Sequence, residues 1–127
     1  MRKLVLGLLF ALAAIPAAAQ NCSHGSNFVL VPFASETVDV STASIGLTAA
    51  TFKPSAAGEA WEAFITVDTA AVNFWLDGTA PTSSVGHAAA TGSTLIICRA
   101  SLPLFRAIRS GGSDGKLRVT YFRPPQG

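Results

Sequence analysis

The chain has 127 residues, half of them hydrophobic and only 13% charged, with nine basic side chains against seven acidic ones. A length of this order holds one domain and leaves no room for a second. No run of consecutive bases with interleaved aromatics occurs, so no nucleic-acid surface is expected.

The chain opens on Arg2 and Lys3, continues through 12 apolar residues from Leu4 to Ile15, and reaches Pro16 and three alanines before Gln20. Charged, then apolar, then small is the order of a secretory signal peptide. Crossing a bilayer as a helix takes about 20 apolar residues. Residues 1 to 19 are therefore expected to be removed, without a permanent membrane anchor. Asn21 stands directly before Cys22, where a lipoprotein would carry a small residue. Residues 20 to 127 form the mature domain, expected to be secreted or periplasmic.

That mature chain breaks into short β-rich runs separated by Gly, Pro, Ser, Thr and Asp, with no long amphipathic helix. Strands are predicted over 28 to 33, 37 to 41, 45 to 52, 61 to 67, 72 to 76, 94 to 98, 105 to 109 and 116 to 122. The run from 102 to 109 also suits a helical turn following Pro103. Alternation assigns faces: Trp61, Ala63, Ile65 and Val67 oppose Glu62, Phe64 and Thr66, and Leu117, Val119 and Tyr121 oppose Lys116, Arg118 and Thr120. In the strand between them, Val72, Phe74 and Leu76 alternate with Asn73, Trp75 and Asp77. Residues 68 to 71 read as a hairpin, and 111 to 115 as a turn that uses glycine's access to positive φ. About eight short strands predict an all-β fold, a two-sheet antiparallel sandwich or jelly roll.

Cys22 and Cys98 are the only cysteines, and export places them where a disulfide forms. Closing that loop stabilises the fold by roughly 4 kcal/mol. Two separate thiols are the alternative if the chain is not exported.

Charge is segregated along the mature chain. Residues 20 to 97 hold six acids and only Lys53, whereas residues 98 to 127 hold six bases and only Asp114. Either the bases form a face for an anionic partner, or they neutralise acids on neighbouring strands; the absence of clustered bases favours neutralisation.

The candidate chemical motifs are weak. Gly111-x-Ser113-x-Gly115 has the letters of a hydrolase nucleophile elbow, but a strand follows where the elbow needs a helix. Neither His24 nor His87 is placed beside Ser113. Cys22, His24, His87 and Cys98 supply one close pair of metal ligands, whereas structural zinc sites usually show two. Glu59, Glu62, Asp68 and Asp77 offer carboxylates, but a domain this small seldom builds the cleft that glycoside hydrolysis needs. No catalytic residue, metal or cofactor is expected.

The distinctive stretch runs from Phe74 to His87. A strand ends at Asp77-Gly78, and a Thr/Ser/Pro loop follows in which hydroxyls and the aspartate satisfy free backbone groups. Trp75 points away from the apolar set. It is either exposed, to stack on a sugar or anchor a partner, or covered by the second sheet or a neighbouring subunit. Asn73, Trp75, Asp77, Thr79 and His87 are the candidate binding residues.

Read together, residues 74 to 123 resemble a small β-sandwich protein recurring in tailed-bacteriophage genomes. The shared pattern is Leu-Asp-Gly-Thr, Pro-Thr, Val-Gly-His, a Phe-Arg-x-Ile-Arg strand, a Gly-x-x-Asp turn and a Val-Thr-Tyr-Phe-Arg terminus. The resemblance implies an accessory virion protein that binds protein partners or itself and is not an enzyme. The Asp-Gly-Thr-x-Pro-Thr loop is also similar to one in immunoglobulin-like modules of chitin- and hexosamine-degrading enzymes, which implies a secreted carbohydrate-binding module as the alternative.

Overall fold

The structure, a computed structural model, describes residues 22, 29 to 56 and 58 to 126. Residues 1 to 19, His24 and Phe28 lie outside the described residues. The fold is nearly all β, with strands β1 (Val31–Val40), β2 (Glu62–Asp68), β3 (Val72–Trp75), β4 (His87–Ala89), β5 (Thr94–Cys98), β6 (Arg106–Arg109) and β7 (Gly115–Arg123). A one-turn helix α1 (Ala49–Phe52) and a 3-10 turn (Arg99–Ser101) complete the described elements.

All strand pairs are antiparallel and form two sheets, β1-β7-β2-β5 and β4-β3-β6. The sheets face each other across one apolar core. Ala63, Ile65 and Val67 of β2, Leu117, Val119 and Tyr121 of β7, and Val38 and Val40 of β1 come from the larger sheet. Val72, Phe74, Ala89 and Ala107 meet them from the smaller one, and Phe105 stacks on Phe74 at 5.7 Å between ring centroids. The predicted inward residues Ala63, Ile65, Val67, Leu117, Val119 and Tyr121 are buried, whereas Trp61, predicted with them, precedes β2 and is half-buried.

Several predicted elements differ in the structure. The runs 28 to 33 and 37 to 41 are joined in one ten-residue strand, β1, with a bulge at Phe33 where the register shifts between Pro32 and Ala34. Neither glycine nor proline lies between the two runs, and pairing with the long β7 carries the chain straight through. The predicted strand 45 to 52 is absent. Ile45 makes a single two-bond bridge to Ala107, and Ala49-Ala50, good helix formers, begin α1, which drives Phe52 into the core 6.0 Å from the Tyr121 ring. Seven strands are thus found among the described residues, with β4 an addition discussed below.

Residues 68 to 71 do not close a hairpin. Both edges of β2 are already occupied, by β7 and β5, so the chain crosses to the other sheet. Thr69 turns this corner with a φ of 72°, while its N–H donates to the Asp68 carboxylate at 2.7 Å. The 111 to 115 segment likewise joins the two sheets, and none of its glycines has positive φ. Gly115 is required for a different reason: a Cβ there would stand 2.7 Å from the Ala70 carbonyl oxygen and 2.8 Å from Val72 Cγ1. It is the point where β7 passes closest to the crossover.

The segregated charges neutralise one another across strands. Arg99 pairs with Glu59 at 3.0 Å, Lys116 with Asp39 at 2.6 Å and Arg118 with Asp68 at 3.2 Å, while Asp114 is held by Arg109 at 2.8 Å. These surface pairs contribute little individually, roughly 0 to 1 kcal/mol each. Their consequence is electrostatic: the basic C-terminal stretch is interleaved with acids because β7 lies between β1 and β2.

Glu36 is the exception, as it points inward from β1. Its carboxylate accepts hydrogen bonds from the Tyr121 hydroxyl and the Thr48 backbone N–H. Burial, reinforced by the hydrogen bond to Glu36, holds the Tyr121 phenol far above its ordinary pKa of about 10. Above that pH the unfolded chain loses a proton that the folded chain keeps, so stability declines as pH rises, by about 1.4 kcal/mol per pH unit. Tyr121 is the chain's one tyrosine, so the rise in absorbance near 295 nm on titration comes from it alone. The expected titration shows no phenolate until the fold is lost. A phenolate with a midpoint near pH 10 and unchanged circular dichroism contradicts this placement.

Candidate functional site

The candidate residues gather at one end of the smaller sheet. Trp75 is the last residue of β3, and its register partner across β6 is Arg106. His87 lies in a strand, not in the predicted loop, because 87 to 89 pair with 72 to 74 of β3. His-Ala-Ala carries no β-forming signature of its own, so only this pairing makes β4. Its position brings the His87 imidazole edge-on to the Trp75 ring, with centroids 4.9 Å apart, and 5.4 Å from Phe74. Trp75 is half-buried and His87 exposed.

Asp77 begins the connecting loop. Its Oδ1 accepts the Thr79 N–H at 3.0 Å, a local turn predicted from the Asp-Gly-Thr text, and that bond, with the Thr79 hydroxyl, lowers the Asp77 pKa below its ordinary value. The Gly78 N–H donates to the Leu104 carbonyl at 3.0 Å, tying the loop to the β6 entry. Further on, Thr82 and Val85 exchange backbone hydrogen bonds at 2.9 and 3.3 Å around a Ser83-Ser84 tip. Gly86 then returns the chain at a φ of 142°, packed so close to Phe74 that a Cβ would sit 3.2 Å from its carbonyl oxygen.

Asn73 serves this loop from beneath. It is only 6% exposed, and its Nδ2 donates to the Thr82 carbonyl at 3.0 Å. Its role is thus to anchor the loop, whereas Trp75, Asp77, Thr79 and His87 reach the surface. Two residues not singled out from the sequence join them: Val85 is 55% exposed at the loop tip and Leu104 is 42% exposed beside Gly78. Their exposure has no local signal, since an apolar side chain in a loop is as readily buried, as Pro81 and Leu102 are here.

The other candidates are dispersed. Ser113 is exposed and a strand follows it at Gly115, as expected. Asp68 and Glu59 are engaged with Arg118 and Arg99, and Glu62 lies on the outer face of the larger sheet, away from Asp77. Arg99 holds the Glu59 carboxyl below its usual pKa. Cys22 and Cys98 are joined in a disulfide. Among the described residues no three His, Cys, Asp or Glu side chains converge on a metal position. A recess beside the β1 bulge, about 330 Å³, is lined by Pro32, Phe33, Ala34, Ser35 and Thr120 and presents no titratable side chain.

Fold and site together define a small antiparallel β-sandwich bearing a pinned surface loop with Trp75 and His87 at its base and an exposed Val85 at its tip. Comparison with protein-family models, with curated proteins and with solved structures finds no match in any of the three.

Proposed function

We propose that this chain is an exported, non-enzymatic interaction domain, of the accessory-virion type that residues 74 to 123 resemble, and that it docks a protein partner with the Trp75 end of its smaller sheet. The observation that carries this is the pinned loop. Asn73 holds it from below, Gly78 ties it to Leu104 and the Thr82–Val85 pair closes its tip, while Val85 and Leu104 remain exposed. Order already present in the free protein lowers the entropic cost of docking. A half-buried tryptophan is the kind of side chain that anchors a binding hot spot, in which one residue carries much of the energy.

Purified mature domain should co-sediment with virions released by the strain that encodes it, and Trp75→Ala should weaken that binding about 30-fold, equivalent to about 2 kcal/mol. Trp75 projects from the outer face, so the variant retains the wild-type circular dichroism. Chitin fragments that quench tryptophan fluorescence, with the change abolished in Trp75→Ala and no virion binding, would replace the protein partner by a carbohydrate. No response to either probe removes the Trp75 site. The intact mass of the exported protein should correspond to a chain beginning at Gln20.

A further inference from the structure

The larger sheet has two edges of opposite character. β1 is guarded: Pro32 cannot donate to another strand, the bulge at Phe33 breaks the register, Glu36 points a charge inward, and Asp39 adds another. These are the devices by which natural sheets avoid edge-to-edge pairing. β5 carries none of them. Its sequence, Thr-Leu-Ile-Ile-Cys, has no charge and no proline, and it pairs with β2 from Glu62↔Cys98 to Thr66↔Thr94 without a shift. Among the described residues no other strand lies against its outer side.

We propose that β5 is a self-association edge: two copies pair β5 antiparallel about a two-fold axis at Ile96, joining two four-stranded sheets into one of eight. The hydrogen-bonding phase of β5 supports this register. Val67 donates to the Ser93 carbonyl at 2.9 Å, so residues 93, 95 and 97 direct their backbone groups toward β2. By alternation Thr94, Ile96 and Cys98 direct theirs outward, and the Cys98 carbonyl accordingly accepts Leu102 N–H from the far side at 3.2 Å. With Ile96 opposite Ile96, the outward residues are the ones that face each other, Thr94 meeting Cys98 of the second copy. About four new ladder bonds form in this arrangement, since the Cys98 carbonyls already accept Leu102 N–H.

The side chains agree with the same axis. Ile96 is the cross-strand neighbour of Phe64 on the outer face, and Phe64 is 41% exposed. Pairing places Phe64 and Ile96 of both copies in one apolar row across the seam, where cross-strand contacts of this kind stabilise a sheet. No like charges are opposed, because β5 is uncharged and Arg99, just beyond it, is held by Glu59. A second copy fits this edge better than an unrelated peptide because the outward groups and the apolar row are self-complementary about one point, the condition for an isologous interface.

This names a partner beyond the one at the Trp75 end, and the test separates the two. Sedimentation velocity of the oxidised mature domain should show a monomer–dimer equilibrium between about 1 μM and 1 mM. Across that range exchange of the Ile96 amide should slow at least tenfold while β1 is unchanged. Ile96→Lys, which places a charge at the axis, should weaken dimerisation at least 30-fold, whereas Ser35→Lys on the opposite edge and Trp75→Ala should leave it intact. A wild type that stays monomeric at 1 mM overturns the proposal without touching virion binding. A dimer with concentration-independent Ile96 exchange, or one that Ser35→Lys disrupts as much as Ile96→Lys, also overturns it.

Discussion

The double variant Cys22→Ser/Cys98→Ser is expected to lose about 4 kcal/mol of unfolding free energy relative to the oxidised wild type. The disulfide joins positions 76 residues apart, and cross-linking so long a loop removes much of the freedom of the unfolded chain. It also has a topological effect: Cys98 ends edge strand β5, whereas the chain enters the same sheet through β1 at the other edge. Without the bond, Cys22 loses its covalent tie to the β5 edge, while β1 keeps its pairing with β7 and its core contacts. Domains of about 100 residues have total stabilities of roughly 5 to 15 kcal/mol, so the loss is a large fraction of the whole. Urea titrations of the wild type with and without dithiothreitol, beside the variant, measure it. Reduction should bring the wild type to the stability of the variant and leave the variant unaffected. A difference below about 1 kcal/mol would mean that the reduced chain retains the structure the bond was expected to impose.

Phe105→Ala should cost a further 3 to 5 kcal/mol or so, the range for deleting a fully buried aromatic ring. Phe105 is 1% exposed and stacks on Phe74, and its carbonyl oxygen lies so near Gly46 that a Cβ there would be 3.1 Å away. The Phe105 N–H is bonded to the Ser101 carbonyl at 2.8 Å, so the backbone is held where the ring was and cannot readily close the cavity. Phe105→Leu, which retains most of the volume, should cost about 1.5 kcal/mol or less. Phe64→Ala makes the control: it removes an aromatic ring from an outward position and should cost well under half as much. Equal losses at the two positions would contradict the assignment of faces.

The face assignment is the part of the fold most legible in the sequence. Alternation in β2 and β7 names their buried residues, and β5 begins and ends where its apolar run does. The candidate site was legible only in part. The Asp77–Thr79 turn follows from local hydrogen-bonding chemistry, and the outward position of Trp75 follows from the period of the strand. Asn73 shares that outward face, yet it is buried, because the loop folds back and its Thr82 carbonyl takes the amide. No local pattern carries that information. The same holds for β4, where two alanines and a histidine become a strand only because β3 has an edge to offer.

The sequence by itself determined the class, since period-two alternation bounded by turn residues admits little but antiparallel sheets, and it determined which side of each long strand is apolar. It also supplied the two cysteines whose pairing the tertiary structure completes. What only the tertiary structure decided is which strands are neighbours. The text from 68 to 71 is as good a hairpin as a crossover, and it becomes a crossover because β7 and β5 fill both edges of β2. Gly115 reads as a turn glycine and is instead the residue that lets β7 pass the Ala70 carbonyl. Turn chemistry and periodicity act over a few residues, whereas edge occupancy and close approach are set by segments dozens of residues apart. That difference in range is the reason most of the strands were readable and their order was not.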